Sequence, residues 1–151
     1  MKYYHVHREE LINKPLEEVF AFFARPENLE QITPSSLGFV IKTPTPIEMK
    51  KGALIDYTIR VNGVPLRWRT LITEYDPLNR FVDEQVKGPY AYWQHKHTFK
   101  SVDGGTLIID DLKYALPLGW LGQIAHWVFV SRKIRHIFDH RSEVIRKIFF
   151  L

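Results

Sequence analysis

The sequence contains no cysteine, which excludes disulfides and thiolate metal or redox centres. It also lacks a long apolar run. The nearest candidate, Ala115 to Val130, is broken by Pro117, Gly119, Gly122, Gln123 and His126, and a membrane span needs roughly 20 uninterrupted residues. No stable membrane insertion is expected. Charge of one sign does not accumulate either: 21 basic residues face 17 acidic ones, for a net +4. Lys and Arg are spread along the chain apart from Arg132, Lys133 and Arg135, whereas a nucleic-acid binder concentrates them on one stripe or motif. No nucleic-acid partner is therefore expected. There is no repeat, low-complexity tract or linker, so residues 1–151 read as one domain, long enough to bury a core without staples. No charged, apolar and small-residue succession opens the chain, and a soluble cytoplasmic protein is the expectation. What the chain does hold is aromatic: 10 Phe, 7 Tyr and 4 Trp, accompanied by 7 His. These make either a bulky core or the lining of a hole.

The apolar period assigns the elements. Tyr4 to Ile12 reads as a strand with Tyr4, Val6 and Ile12 on one face and His5, His7 and Leu11 on the other. Lys14-Pro15 opens a short helix whose Leu16, Val19, Phe20 and Phe23 share a face. Pro26 ends it, and a second helical piece follows from Glu27 to Ile32. From Phe39 the period becomes two. Strands are expected at Phe39 to Lys42, Leu54 to Val61, Leu66 to Tyr75, Phe81 to Val86, Trp93 to Val102 and Thr106 to Ala115. Asn62-Gly63, Asp76-Pro77 and Asp103-Gly104 are the turn signals between them. Gln123 to about Phe149 holds no breaker and reads as one long helix. This order predicts an α+β domain, a curved antiparallel sheet of about seven strands wrapped around a long C-terminal helix. One helix cannot fill such a sheet's concavity, so a cavity is expected.

With these elements in place, the chain resembles the START-like, or SRPBCC, superfamily. The resemblance runs from the first strand and Pro15-Leu16-Glu17-Glu18-Val19-Phe20 through the meander to the final helix. A closer likeness to the bacterial ligand-binding, polyketide cyclase/dehydratase-like group is carried by three motifs. They are Gly63-Val64-Pro65-Leu66-Arg67-Trp68, Gly88-Pro89-Tyr90, and Trp93, His95, His97 and Phe99 at alternate positions. The resemblance implies a helix-grip fold around a deep hydrophobic ligand cavity.

Candidate chemistry centres on Trp93 to Val102. Trp93, His95, His97 and Phe99 alternate with Gln94, Lys96, Thr98 and Lys100, which puts two histidines between aromatics on the concave face. They are hydrogen-bonded core residues, polar fixtures of the cavity wall or metal ligands. A two-residue turn at Asp103-Gly104 pairs Val102 with Gly105. Asp110 then stands beside His97, Leu112 faces His95 and Tyr114 faces Trp93. A one-residue bulge would bring Asp111 in instead. Leu66, Trp68, Thr70 and Ile72 form a further inner row. In Phe81 to Val86, hydrophobicity slightly favours an inward valine face, while the resemblance implies that Phe81, Asp83 and Gln85 face the cavity. The final helix carries Val130, Ile134, Ile137, Phe138, Ile145 and Ile148 as a stripe, with Arg141 inside it, placed to pair structurally or to meet a ligand carboxylate.

The expected ligand-binding set is thus Trp68, Asp83, Gln85, Trp93, His95, His97, Phe99, Asp110, Tyr114, Phe138 and Arg141, with His95, His97 and Asp110 as catalytic candidates. His5 and His7 mirror His95 and His97, yet nothing sequential joins the two pairs in ligand geometry, and no metal is expected. No phosphate loop, nucleophile elbow or zinc-protease motif is present, and no cofactor is expected. The expected function is binding of a small apolar or aromatic molecule. The alternative is a cyclase, dehydratase or isomerase using a His-Asp pair for proton transfer. A third possibility is that Leu116, Leu118, Trp120 and Leu121 touch a membrane surface beside the basic helix start. The preferred reading of that segment is a loop folded over the cavity mouth.

Overall fold

A computed structural model describes residues 1–61 and 63–149. Strand β1 (Tyr4–Ile12) leads into α1 (Leu16–Phe23), a 3-10 turn (Pro26–Asn28) and α2 (Leu29–Ile32). A second 3-10 turn (Ser35–Leu37) precedes the short β2 (Val40–Ile41). The meander follows as β3 (Leu54–Val61), β4 (Val64–Asp76), β5 (Arg80–Lys87), β6 (Tyr92–Val102) and β7 (Gly105–Ala115). Helix α3 (Gly119–Ala125) passes through one π-helical turn (His126–Val130) into α4 (Ser131–Phe149). The seven strands form one sheet in the order β1-β7-β6-β5-β4-β3-β2, antiparallel throughout. This is the expected α+β helix-grip arrangement. Among the described residues, no helix is long and apolar enough to cross a membrane.

The strands form where apolar and polar residues alternate. On β7 every second residue is buried from Thr106 through Ile108, Asp110 and Leu112 to Tyr114, and the last residue, Ala115, is buried as well. β6 buries His95, His97 and Phe99 in the same way. The β6–β7 hairpin has Val102 opposite Gly105, Phe99 opposite Ile108, His97 opposite Asp110 and Trp93 opposite Tyr114, the expected register. Asp111 consequently points outward, where it meets His7. His5 and His7 therefore lie on the face opposite His95 and His97, so the two histidine pairs cannot share an ion. The turn expected at Asn62-Gly63 includes Asn62, which lies outside the described residues.

Helix α4 buries Ile134, Phe138, Arg141, Ile145 and Phe149 at helical spacing, which fits the expected stripe. Its two ends serve two cores. Ile145 and Phe149 pack with Ile12, Val19, Phe20, Phe23, Phe81, Phe99 and Ile108, while Ile134 and Phe138 pack with Leu112 and Tyr114. A helix is about 10 Å wide and seven strands span about 30 Å. One helix therefore covers the β1–β7–β6 side and does not pack directly down onto the inner faces of β3 and β4, which border a space instead. The space between is the cavity.

The terminal helix differs from its expected form at its start. It begins at Gly119, not Gln123, because Leu118 adopts a left-handed conformation (φ 69°) and turns the chain directly into α3. Glycine at 122 allows this: a β-carbon there would come within 2.2 Å of the Pro117 carbonyl oxygen. The segment expected to fold over the cavity mouth does so only in part. Leu116, Phe129 and Val130 line the cavity, but Leu118, Trp120, Leu121, Ile124, Trp127 and Val128 are exposed.

Candidate functional site

The cavity lies between α4 and the inner faces of β3 to β6 and has a volume of about 360 Å³. Alternation along β3 delivers Ile55, Tyr57, Ile59 and Val61 to it, and alternation along β4 delivers Leu66, Trp68, Thr70 and Ile72. Phe22, Phe23, Leu29 and Ile32 close it from the short helices, and Ile137 and Arg141 from α4. The aromatic wall is locked by mutual contact. Trp68 and Trp93 meet edge to face at 5.1 Å, Tyr57 stacks on Trp68 at 5.8 Å, and Tyr90 leans on Trp93 at 4.7 Å. Burial pushes the Tyr57 and Tyr90 hydroxyls well above their ordinary range, so both stay protonated.

Asp83, His95, His97 and Arg141 bring a polar cluster from β5, β6 and α4 into the apolar lining. His97 Nε2 lies 2.7 Å from Asp83 Oδ2, and His95 Nε2 lies 2.8 Å from Asp110 Oδ1. Arg141 reaches from α4 to within 3.4 Å of Asp110 and sits over the Phe23 ring at 5.3 Å. Both histidine bonds run diagonally across the sheet. His97 stands opposite Asp110 and His95 opposite Asp83, yet each bonds the other's cross-strand neighbour. Asp110 stands beside His97 as the register predicts, 3.6 Å from its Nδ1, but the hydrogen bond of His97 goes to Asp83. A long side chain reaches the diagonal neighbour as readily as the direct one. The two imidazoles stack on each other at 3.7 Å, and Phe81 covers the outer face of His97 at 4.2 Å.

This packing sets the charges. Burial, reinforced by the neighbouring His95, pushes His97 down to about 4 against the pull of Asp83, so the ring is neutral at physiological pH. Burial alone would raise Asp110, but Arg141 and the His95 bond outweigh it and hold the carboxyl below its ordinary range. Asp83 is likewise opposed by burial and lowered by its bond to His97 and the positive groups around it. Neutral His97 therefore donates from Nε2–H to the Asp83 carboxylate. Its Nδ1 has no hydrogen-bond partner among the described residues, and the same holds for Trp68 Nε1 and Arg141 Nε.

Of the eleven expected site residues, Trp68, Asp83, Trp93, His95, His97 and Arg141 line the cavity. The other five do not. Phe99 packs into the core between Phe20 and Phe23. Phe138 joins the second core with Tyr114. The Tyr114 hydroxyl, pushed up to about 12 by burial, shares a hydrogen bond with His126 Nε2 at 2.6 Å. Asp110 stands behind the histidines and touches a separate small hollow with Arg8 and Phe138. Gln85 is turned to the β5–β6 connection, where its amide donates to the Tyr90 carbonyl at 2.7 Å and accepts from the Tyr90 N–H at 3.0 Å. Gln85 thus braces the turn, and a β-carbon at Gly88 would meet its side-chain oxygen at 2.5 Å. Tyr57, Tyr90, Phe129 and Lys133 line the cavity without having been singled out. Tyr57 shares the β3 face with Ile55 and Ile59, whereas Lys133 stands out in sequence only as part of the basic cluster with Arg132 and Arg135.

Among the described residues, Asp83, His95 and His97 are the group that could hold a metal, with ligand atoms within 4.8 Å of one another. Two imidazoles and a carboxylate suit zinc or iron.

Residues 12–140 match the family described as polyketide cyclase/dehydrase and lipid transport. No curated protein matches the chain. Several solved structures share its fold. TTHA0849 from Thermus thermophilus superposes with a TM-score of 0.72 at 16% identity, covering 96% of this chain and 99% of that one. The major latex-like protein 151 of Panax ginseng gives 0.70 at 11% identity, with 99% of each chain covered. The Zhui aromatase/cyclase from Streptomyces sp. R1128 gives 0.69 at 13% identity, covering 97% and 96%. Such identities speak for the fold alone. The family match, spanning most of the chain from the end of β1 into α4, carries the assignment: the chain belongs to the polyketide cyclase/dehydrase and lipid transport family.

Proposed function

We propose that this protein binds a small, mainly apolar or aromatic molecule in the cavity between sheet and helix, to carry or sequester it. One observation carries the reading: a cavity of about 360 Å³ walled largely by aliphatic and aromatic side chains, into which Asp83, His95, His97 and Arg141 bring polar groups. That is the construction of a site that takes most of a ligand by burial and orients it by a few polar contacts. The ligand's polar end would meet Asp83, His95 and Arg141, and an oxygen beside Trp68 would accept from its otherwise unpartnered Nε1–H.

Native mass spectrometry of the purified protein should show a retained small molecule. An environment-sensitive apolar dye should bind the emptied protein and quench Trp68 and Trp93. Ile59→Trp fills the cavity and should weaken dye binding by roughly tenfold or more without loss of secondary structure. Unchanged dye affinity in that variant would refute the binding site.

A second reading, an enzyme of the cyclase or dehydratase kind, is favoured by the Asp83–His97 pair. Asp83 is the more accessible partner, 19% against 6% for the His97 side chain, and borders the cavity. Its carboxylate would take a proton from a carbon next to a carbonyl, while His97 Nε2–H steadies it. Under that reading Asp83→Asn abolishes turnover and leaves dye affinity unchanged; a pure carrier has no turnover to lose.

A further inference from the structure

The outer face of the segment between β7 and α4 has no counterpart in the cavity argument. Leu118, Trp120 and Trp127 are 76%, 68% and 83% exposed, and Leu121, Ile124, Val128 and Phe129 are about half exposed. Helical spacing gathers Trp120, Leu121, Ile124, Trp127 and Val128 on one side, while Gly122 is buried behind them. Soluble surfaces scatter large apolar residues singly, and a contiguous patch of this kind marks a contact surface.

Charge says which surface. From Leu112 to Phe138 the chain contains no Asp or Glu, although the whole sequence has 17. The same stretch supplies Arg132 and Arg135, exposed one turn beyond Val128. Lys2 is close by: it lies over the Tyr4 ring, which stacks on His126 in the π-helical turn. An apolar helix face flanked by cations alone is the pattern of a helix lying in an anionic bilayer interface. Self-association fits less well, because a two-fold contact sets each patch against itself and this one would bring arginines together with no carboxylate to meet them. The patch is also continuous with the cavity, since half-exposed Phe129 lines it together with Val130 and Lys133.

We propose that the exposed face from Leu118 to Val128, with Arg132 and Arg135, docks on the surface of an anionic lipid bilayer and sets the Phe129–Lys133 rim of the cavity at the lipid boundary. This docking does not depend on what the cavity holds.

Vesicle sedimentation and tryptophan emission test it. The protein should bind phosphatidylcholine–phosphatidylglycerol vesicles and not pure phosphatidylcholine vesicles, and should release as salt is raised. Emission should shift to the blue on binding and be quenched by brominated lipid, because Trp120 and Trp127 are outside while Trp68 is buried. Arg132→Gln and Arg135→Gln should each weaken binding about fivefold at low salt, and Trp120→Ala with Trp127→Ala by roughly tenfold or more. Dye binding in the cavity reports whether these variants stay folded. If they do not, the lipid-charge dependence and bromine quenching of the unaltered protein still decide the matter. Absence of binding, equal binding to neutral vesicles, or a blue shift that follows protein concentration without lipid would overturn the proposal, the last in favour of a second copy of the chain.

Discussion

His97 is held neutral by its surroundings, and that has a cost that depends on pH. In the unfolded chain the imidazole takes a proton near its ordinary 6.5, whereas in the folded state it does so only near 4. Stability from this group is therefore complete above pH 6.5 and is lost as pH falls toward 4, by on the order of 3 kcal/mol. Asp83 and Asp110, both held below the ordinary 3.8, lose their contributions only at still lower pH. The windows separate. Urea midpoints measured between pH 7.5 and 4.5 should fall with acid, and His97→Gln should flatten the slope; because lowered His126 titrates in the same direction, the difference between the two proteins is the measure. An equal slope in both would contradict a buried neutral imidazole. At this scale alternation revealed much: the period of β6 put both histidines on the inner face. It could not reveal that their hydrogen bonds cross diagonally, since that depends on side-chain reach and on where β5 places Asp83.

At the scale of elements, the β6–β7 hairpin is the piece that aligns the histidines, and its turn is where it is most easily broken. Gly105 has φ 140°, and a β-carbon there would fall 2.1 Å from the Ile12 carbonyl oxygen at the end of β1. The neighbouring Gly104, at φ 86°, has open space around it. Gly104→Ala should thus cost about 1 kcal/mol for its backbone conformation. Gly105→Ala should cost distinctly more, roughly 3 kcal/mol, because β1 must also move. Chemical denaturation of the two variants checks the order. Turn chemistry made this hairpin and its register readable from Asp103-Gly104. The same logic misplaced the start of the terminal helix. Gly119 and Gly122 look like breakers in sequence, but one follows the left-handed Leu118 directly and the other is needed for close packing on Pro117.

For the molecule as a whole, the cavity is a stability liability that a ligand relieves. Filling it should raise the unfolding free energy by about 3 kcal/mol when ligand exceeds its dissociation constant a hundredfold. Stripping a retained molecule should therefore lower the melting temperature, and adding it back should restore it; differential scanning calorimetry before and after extraction measures this. The order of elements, the antiparallel meander and the inner rows of β3, β4, β6 and β7 are local properties, written as hydrophobic period and turn residues, and these were legible along the chain. The aromatic load, by contrast, could be divided between core and cavity only by three-dimensional packing. Phe99, Tyr114 and Phe138 carry the same alternation or stripe as Trp68 and Trp93, yet the first three pack into the two cores while the other two border the cavity. Period tells which face of a strand is buried. What buries it is settled by where a single helix, narrower than the sheet it covers, comes to rest.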